Sequence, residues 1–141
     1  MIAAEPAGSA ACPCGSGERY DGCCGPLHAG APAPTAERLM RSRFSAFALG
    51  LRDFLLASWH PSTRPGSLEL DPEVEWRRLL IQDATAGGAR DREGYVTFTA
   101  VARSPAGRVE QRERSRFLRD AAEPADRGAP RWRYVDGAAL G

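Results

Sequence analysis

The feature that most constrains this chain is the run Cys12-Pro13-Cys14-Gly15-Ser16-Gly17, followed after five residues by Cys23-Cys24. All four cysteines of the 141-residue chain fall inside these thirteen positions. Zinc takes four tetrahedral ligands, and thiolates serve it well in structural sites. Two ligands one residue apart, a loop, and two adjacent ligands can close around one ion. The loop must turn tightly and aim backbone N–H groups at the sulfurs; Gly15, Ser16 and Gly17 suit that task. Tyr20 and Pro26 are at hand as apolar cover. Three other readings compete. Two disulfides in so short a span would be strained, most of all with Cys23 and Cys24 adjacent. Residues 1–11 also lack the charged start and apolar core of a secretory signal. A redox dithiol normally has the spacing C-x-x-C. Cysteines without a role are the third. The preferred reading is one Zn2+ on Cys12, Cys14, Cys23 and Cys24, with His28 as a reserve ligand in place of Cys24.

Length allows one domain with its own core plus a small appendage. No apolar run approaches the roughly 18 residues that span a bilayer. No membrane association is expected, and the expected location is the cytoplasm, where thiols stay reduced. Nineteen arginines, no lysine and 18 acidic residues leave a net charge of +1. That balance argues neither for nor against a nucleic-acid partner. The all-arginine usage reads as the composition of a GC-rich genome, with a phosphate-binding arginine surface as the weaker alternative.

Residues 1–10 are small and polar and are expected to be disordered. Residues 11–28 are the metal segment, and 29–34 form a Gly/Ala/Pro linker. Such a linker makes the two parts separable: removing the metal should unfold 11–28 and spare the remainder. Residues 35–141 make up the main domain. Thr35 is placed to cap a helix, with Glu37 in its first turn. Leu39, Met40, Phe44, Phe47 and Leu51 recur at three- and four-residue spacing, giving one apolar stripe. Gly50 interrupts, and a second short helix starts near Asp53 and stops at His60, because Pro61 disfavours helix before it. Residues 61–72 read as loop. The period then changes to strands over 76–82, 95–103, 108–119 and 131–136. A charged, glycine-rich turn covers 84–93, and Ser104-Pro105-Ala106-Gly107 makes a hairpin turn. Gly137 closes the last strand. Helices followed by an antiparallel meander define an α+β domain whose sheet buries one face on the helices.

Within 108–119 one face carries Val109, Gln111, Glu113, Ser115 and Phe117, and the other carries Arg112, Arg114 and Arg116. The arginine face belongs in water. The first face is expected to meet the helices, which turns Glu113 inward. A buried carboxylate is costly unless paired, so an ion pair with Arg43 or Arg41 is expected, serving to orient the helix on the sheet. The sharper reading is a pocket lined by Arg41, Arg43, His60, Glu113, Tyr134 and Asp136. Glu113 and His60 would be its acid–base pair. Trp59, Trp76 and Trp132 read as core or rim aromatics.

The run CPCGSGERYDGCC resembles the SEC-C motif, the small zinc-binding segment named for the C-terminus of the SecA translocation ATPase. The match lies at Cys12, Cys14, Cys23 and Cys24, the Gly-Ser-Gly turn and Tyr20. The resemblance implies zinc binding and docking toward a protein partner or the ribosome, without catalysis. The wider chain resembles the YchJ-like family of uncharacterised bacterial proteins. Carrying residues are Cys24-Gly25-Pro26-Leu27-His28, Ala33-Pro34-Thr35-Ala36-Glu37, residues 39–47 (LMRSRFSAF), Trp59-His60-Pro61-Ser62-Thr63, Glu113-Arg114-Ser115-Arg116-Phe117 and Trp132-Arg133-Tyr134-Val135-Asp136-Gly137. This second resemblance implies a cystatin-like cone of the nuclear-transport-factor-two type after the zinc segment. Some relatives carry a second SEC-C motif at the C-terminus; the sequence to Gly141 has none.

The expectations for function rank in order. First comes a zinc-containing interaction module, related to translation or secretion, that docks a protein partner through the metal segment. Second is a small-molecule binder or enzyme using the cone around Glu113. Third is RNA binding through the arginine face, which would be steeply salt-dependent.

Overall fold

The computed structural model describes residues 8–140. Of the disorder expected over 1–10, the part on 1–7 lies outside the described residues. The backbone of 8–10 is engaged: Asp21 N–H donates to Gly8 C=O and Tyr20 N–H to Ala10 C=O, at 3.1 and 2.8 Å. A 3-10 turn at Tyr20–Gly22 precedes a short helix α1 (Cys24–His28), then α2 (Ala36–Leu49) and α3 (Arg52–Ala57). Four strands follow: β1 (Glu75–Ala86), β2 (Glu93–Ser104), β3 (Gly107–Asp120) and β4 (Arg131–Ala139). They form one antiparallel meander in the order β1-β2-β3-β4. The α+β architecture expected from the sequence is the one present.

The caps of α2 are those its sequence encodes. Thr35 Oγ1 accepts from Arg38 N–H at 3.1 Å, and Gly50 closes the helix in the left-handed region at φ 73°. The single apolar stripe read from the sequence is only half of what α2 buries. Ala36, Leu39, Met40 and Phe44 join Leu79, Val96, Phe98, Phe117 and Trp132 in the main core. The opposite side, with Ser42, Ser45, Ala46 and Leu49, is also buried, beneath the cysteine segment. Leu49 shares a second apolar cluster with the four cysteines and Tyr20. The helix is therefore sandwiched between sheet and metal segment. The 29–34 connection does not leave those parts independent.

All four strands run longer than the alternation indicates. β4 reaches Ala139, pairing there with Glu113 of β3, and β1 reaches Ala86 because the β1–β2 turn is narrower than its glycine and charge content implies. Gly87 and Gly94 pack there against each other and Ala36: a Cβ on Gly94 would fall 2.4 Å from the Gly87 Cα. Irregular register at Trp76/Arg78, Ile81/Asp83 and Arg116/Phe117 bends the sheet around the helices, as bulges do. The inward face of β3 needs correcting at one end. Ser115 and Phe117 are buried, at 1% and 0% exposure, but Val109 is 37% exposed. Strand twist, accumulated along fourteen residues, carries the hairpin end away from the helix layer. The outer edge of β4 is covered by the chain after α3, which ends at Ala57 rather than running to His60. Trp59 bridges Tyr134 in parallel, and His60 N–H donates to Tyr134 C=O at 2.7 Å.

Candidate metal centre

Cys12 and Cys14 lie in a loop tied by Cys12 N–H to Glu18 C=O at 2.9 Å and Gly15 N–H to Cys12 C=O at 3.1 Å. Gly15 and Gly17 take φ of 79° and 87°, values that glycine adopts without a Cβ penalty. Cys23 follows the 3-10 turn and Cys24 opens α1. The turn and helix fit together because Gly25 lacks a side chain: a Cβ there would sit 2.7 Å from Tyr20 O. The four sulfurs end within 4.8 Å of one another and all are buried. Cys14 and Cys23 Sγ are 3.7 Å apart, Cys23 and Cys24 Sγ 3.9 Å. This donor set can hold a metal ion.

Hydroxyls and arginines surround it. Ser45 Oγ of α2 donates to Cys24 Sγ at 3.4 Å and sits 3.6 Å from Cys12 Sγ. Ser16 Oγ lies 3.2 Å from Cys23 Sγ. Arg38 and Arg41 donate to the carbonyls of Cys23 and Cys14 at 3.2 and 3.3 Å. His28 has its ring nitrogens engaged elsewhere. Nε2 donates to Ser42 C=O at 2.8 Å and Nδ1 accepts from Tyr20 OH at 2.6 Å. The reserve-ligand role is thus filled by a structural one, locking α1 to α2.

The thiols cannot all ionise together without a cation. Hydrogen bonds from Cys12 and then Cys24 pull Cys14 well below its ordinary range, helped by Ser16. Cys24 is pushed far up by its bond to Cys12, then by Cys14 and burial. Cys23 is raised by burial first, with the Cys14 charge adding to it. A bound cation would let the remaining thiols ionise as well.

The residues proposed for a pocket separate into four places. Arg41 faces the metal segment and bonds Glu37 at 3.3 Å; 41 and 43 point to opposite sides of α2. His60 accepts from Ser62 Oγ at 2.7 Å on Nδ1 and bonds Asp120 at 3.1 Å through Nε2. This hydroxyl–imidazole–carboxylate chain does not line the cavity between α2 and the sheet, and Ser62 N–H also donates to Nδ1 at 3.1 Å. It locks the turn after α3. Asp136 is exposed and 3.6 Å from Arg116. Arg43, Glu113 and Tyr134 alone share a cavity, of about 160 Å³, between α2 and the sheet.

The expected Glu113–Arg43 ion pair is not formed. Arg43 Nη1 donates instead to Leu55 C=O at 2.8 Å and Ser58 Oγ at 2.6 Å. Glu113 accepts from Gln111 at 2.8 Å and from Ser115 and Tyr134, each at 3.4 Å. Gly137 made this possible: a Cβ there would overlap Glu113 Oε1 at 1.4 Å. The sequence reading took Gly137 as a strand end and missed its role opposite Ser115. Burial first, then the Glu113 charge, pushes the Tyr134 phenol up to about 12, so it stays a donor. Sequence reasoning also missed Ser42 and Ser45; three small residues at 42, 45 and 46 on one helix face were the available signal.

A family model described as "YchJ, middle NTF2-like domain" matches residues 35–137. The chain belongs to the YchJ-like family. UPF0225 proteins of Chromobacterium violaceum and Streptomyces coelicolor are each 48% identical to it. The first aligns over 133 residues, 91% of this chain and 92% of its own length. The second aligns over 128 residues, 89% and 93%. Two solved structures of SEC-C motif-containing proteins share the YchJ-like fold. The solution structure from Rhodopseudomonas palustris has a TM-score of 0.76 and 29% identity, covering 94% of this chain and all of that one. The crystal structure from Psychrobacter arcticus has a TM-score of 0.73 and 25% identity, covering 95% and 85%. At 94% and 95% coverage of this chain, both structural matches extend beyond residues 35–137. Among the described residues no helix is long and apolar enough to cross a membrane.

Proposed function

We propose that this chain is a zinc-binding docking protein of the cytoplasm, presenting its metal segment to a protein partner of translation or secretion. Zinc–thiolate bonds of about 2.3 Å in a tetrahedron put neighbouring sulfurs roughly 3.8 Å apart. The 3.7 and 3.9 Å separations here fit that figure. Cys12, Cys14, Cys23 and Cys24 would hold the ion, which supplies fixed structure. A complete protein shell leaves no open position for reactive water, so the site is read as non-catalytic.

The observation that carries the docking reading is the contrast inside one segment. The four sulfurs are buried while residues 15–19, between the ligand pairs, are all exposed. A metal would freeze this loop, and a loop fixed before binding loses less entropy when a partner arrives.

The test is a pull-down from native lysate with the full chain and with Cys14→Ser, alongside elemental analysis. Freshly purified wild type should carry about one zinc per chain, and the variant should lose both metal and partner. Retention of every wild-type partner by the variant overturns the docking role. Folded, metal-free wild type, or stoichiometric loading by another metal, overturns zinc.

A further inference from the structure

Arg43 is 4% exposed, yet among the described residues no carboxylate lies within ion-pair distance of it. Its Nη1 is held by two neutral acceptors, Leu55 C=O and Ser58 Oγ. Its guanidinium carbon lies 4.5 Å from the Tyr134 ring centre and 5.2 Å from that of Trp59. Aromatic faces attract a cation without neutralising it. The cost of burial is visible: desolvation draws Arg43 down to about 10, with Tyr134 and Glu113 opposing. At neutral pH it remains a buried cation.

Nε and Nη2 of Arg43 have no protein acceptor among the described residues. They keep a little exposure, since among the described residues Trp132 Nε1 alone is a fully enclosed side-chain polar atom without a partner. The space Arg43 lines is the cavity of about 160 Å³. The N–H groups on Nε and Nη2, of a residue that lines this cavity, form the fork that a carboxylate engages bidentately. Glu113 lines the same cavity and would repel a bare anion, but can accept from a donor. Between them stand apolar walls from Phe44, Phe47 and Trp76. The volume corresponds to about five waters at roughly 30 Å³ each, so an occupant is small.

We propose that the cone cavity binds a small amino- or hydroxycarboxylate, its carboxylate on the open edge of Arg43 and its amino or hydroxyl group on Glu113. This site is separate from the metal centre and needs no partner protein. Arg43 is the anchor, Glu113 selects for the donor, and the aromatic walls limit size.

Trp59 and Trp76 line the cavity, so their emission reports occupancy. The full-length protein is titrated at millimolar concentrations with L-serine, glycolate and acetamide as probes. L-serine and glycolate should change tryptophan emission saturably; acetamide, uncharged, should not. Arg43→Met should weaken both by at least about tenfold, the loss of a charge-assisted pair. Arg43→Lys should retain part of the binding. Glu113→Gln should weaken L-serine more than glycolate. No saturable change with either acid, or equal affinity in Arg43→Met, overturns the proposal. Should Arg43→Met fail to fold, wild-type crystals soaked in glycolate decide: carboxylate density on Arg43 supports the site, and density absent there overturns it.

Discussion

Asp126 and Arg133 show how much a single residue can carry in a small cone. Two bonds of 2.7 and 2.8 Å join them, and their side chains are only 2% and 7% exposed. The Arg133 hydrogen bonds, ahead of every other influence, hold the Asp126 carboxyl below its usual range. A carboxylate with a depressed native pKa contributes stability above its unfolded value and loses it as pH falls through the native one. Asp126→Asn should therefore lose about 3 kcal/mol at neutral pH, the cost of stranding a buried partner. The deficit relative to wild type should shrink below pH 3.8. Urea unfolding at pH 7 and in acid checks both limbs. The pair did not stand out in the sequence, because a loop residue and a strand residue seven positions apart have no periodicity to betray them. The cysteines were legible for the opposite reason: four sulfurs in thirteen positions have few other uses.

Helix α2 is the element that joins the two candidate sites. Ser42 and Ser45 face the metal segment while Met40, Arg43 and Phe44 face the sheet. Its ends were legible, since Thr35 and Gly50 are local signals that act within one turn. Its second buried face was not. Serines and an alanine do not raise a hydrophobic pattern, although small residues are what allow a loop to press close. Ser45→Leu puts a bulky side chain against Cys12 and Cys24 Sγ. Overpacking of this kind costs about 1–3 kcal/mol. The variant should also bind metal more weakly, as a competition titration with a chromogenic chelator would register. The strands tell a similar story: alternation located them, but bulges and Gly137, which decide where Glu113 can lie, are visible only once the register is known.

At the scale of the whole molecule, the short link at 29–34 suggests two parts, and the packing makes them one. Metal removal should therefore be felt beyond 11–28. Chelation of the full chain should lower its thermal midpoint and deprotect α2 amides at 42–49 in hydrogen exchange, with amides of β2 and β3 the last to open. Chelation that leaves α2 protection unchanged would restore the separable reading. The sequence by itself determined the cysteine cluster that can hold a metal ion, the α+β class and most element positions, because cysteine spacing, capping and alternation are local and repeat over a few residues. The tertiary structure alone decided which charges meet. It gave Arg41 to the cysteine loop, His60 to Asp120 and Glu113 to Tyr134, and it left Arg43 facing a cavity without a counter-charge. Those pairings depend on sheet twist and on the two-sided burial of α2, which bring together residues as far as 60 positions apart and leave no mark on either stretch of sequence alone.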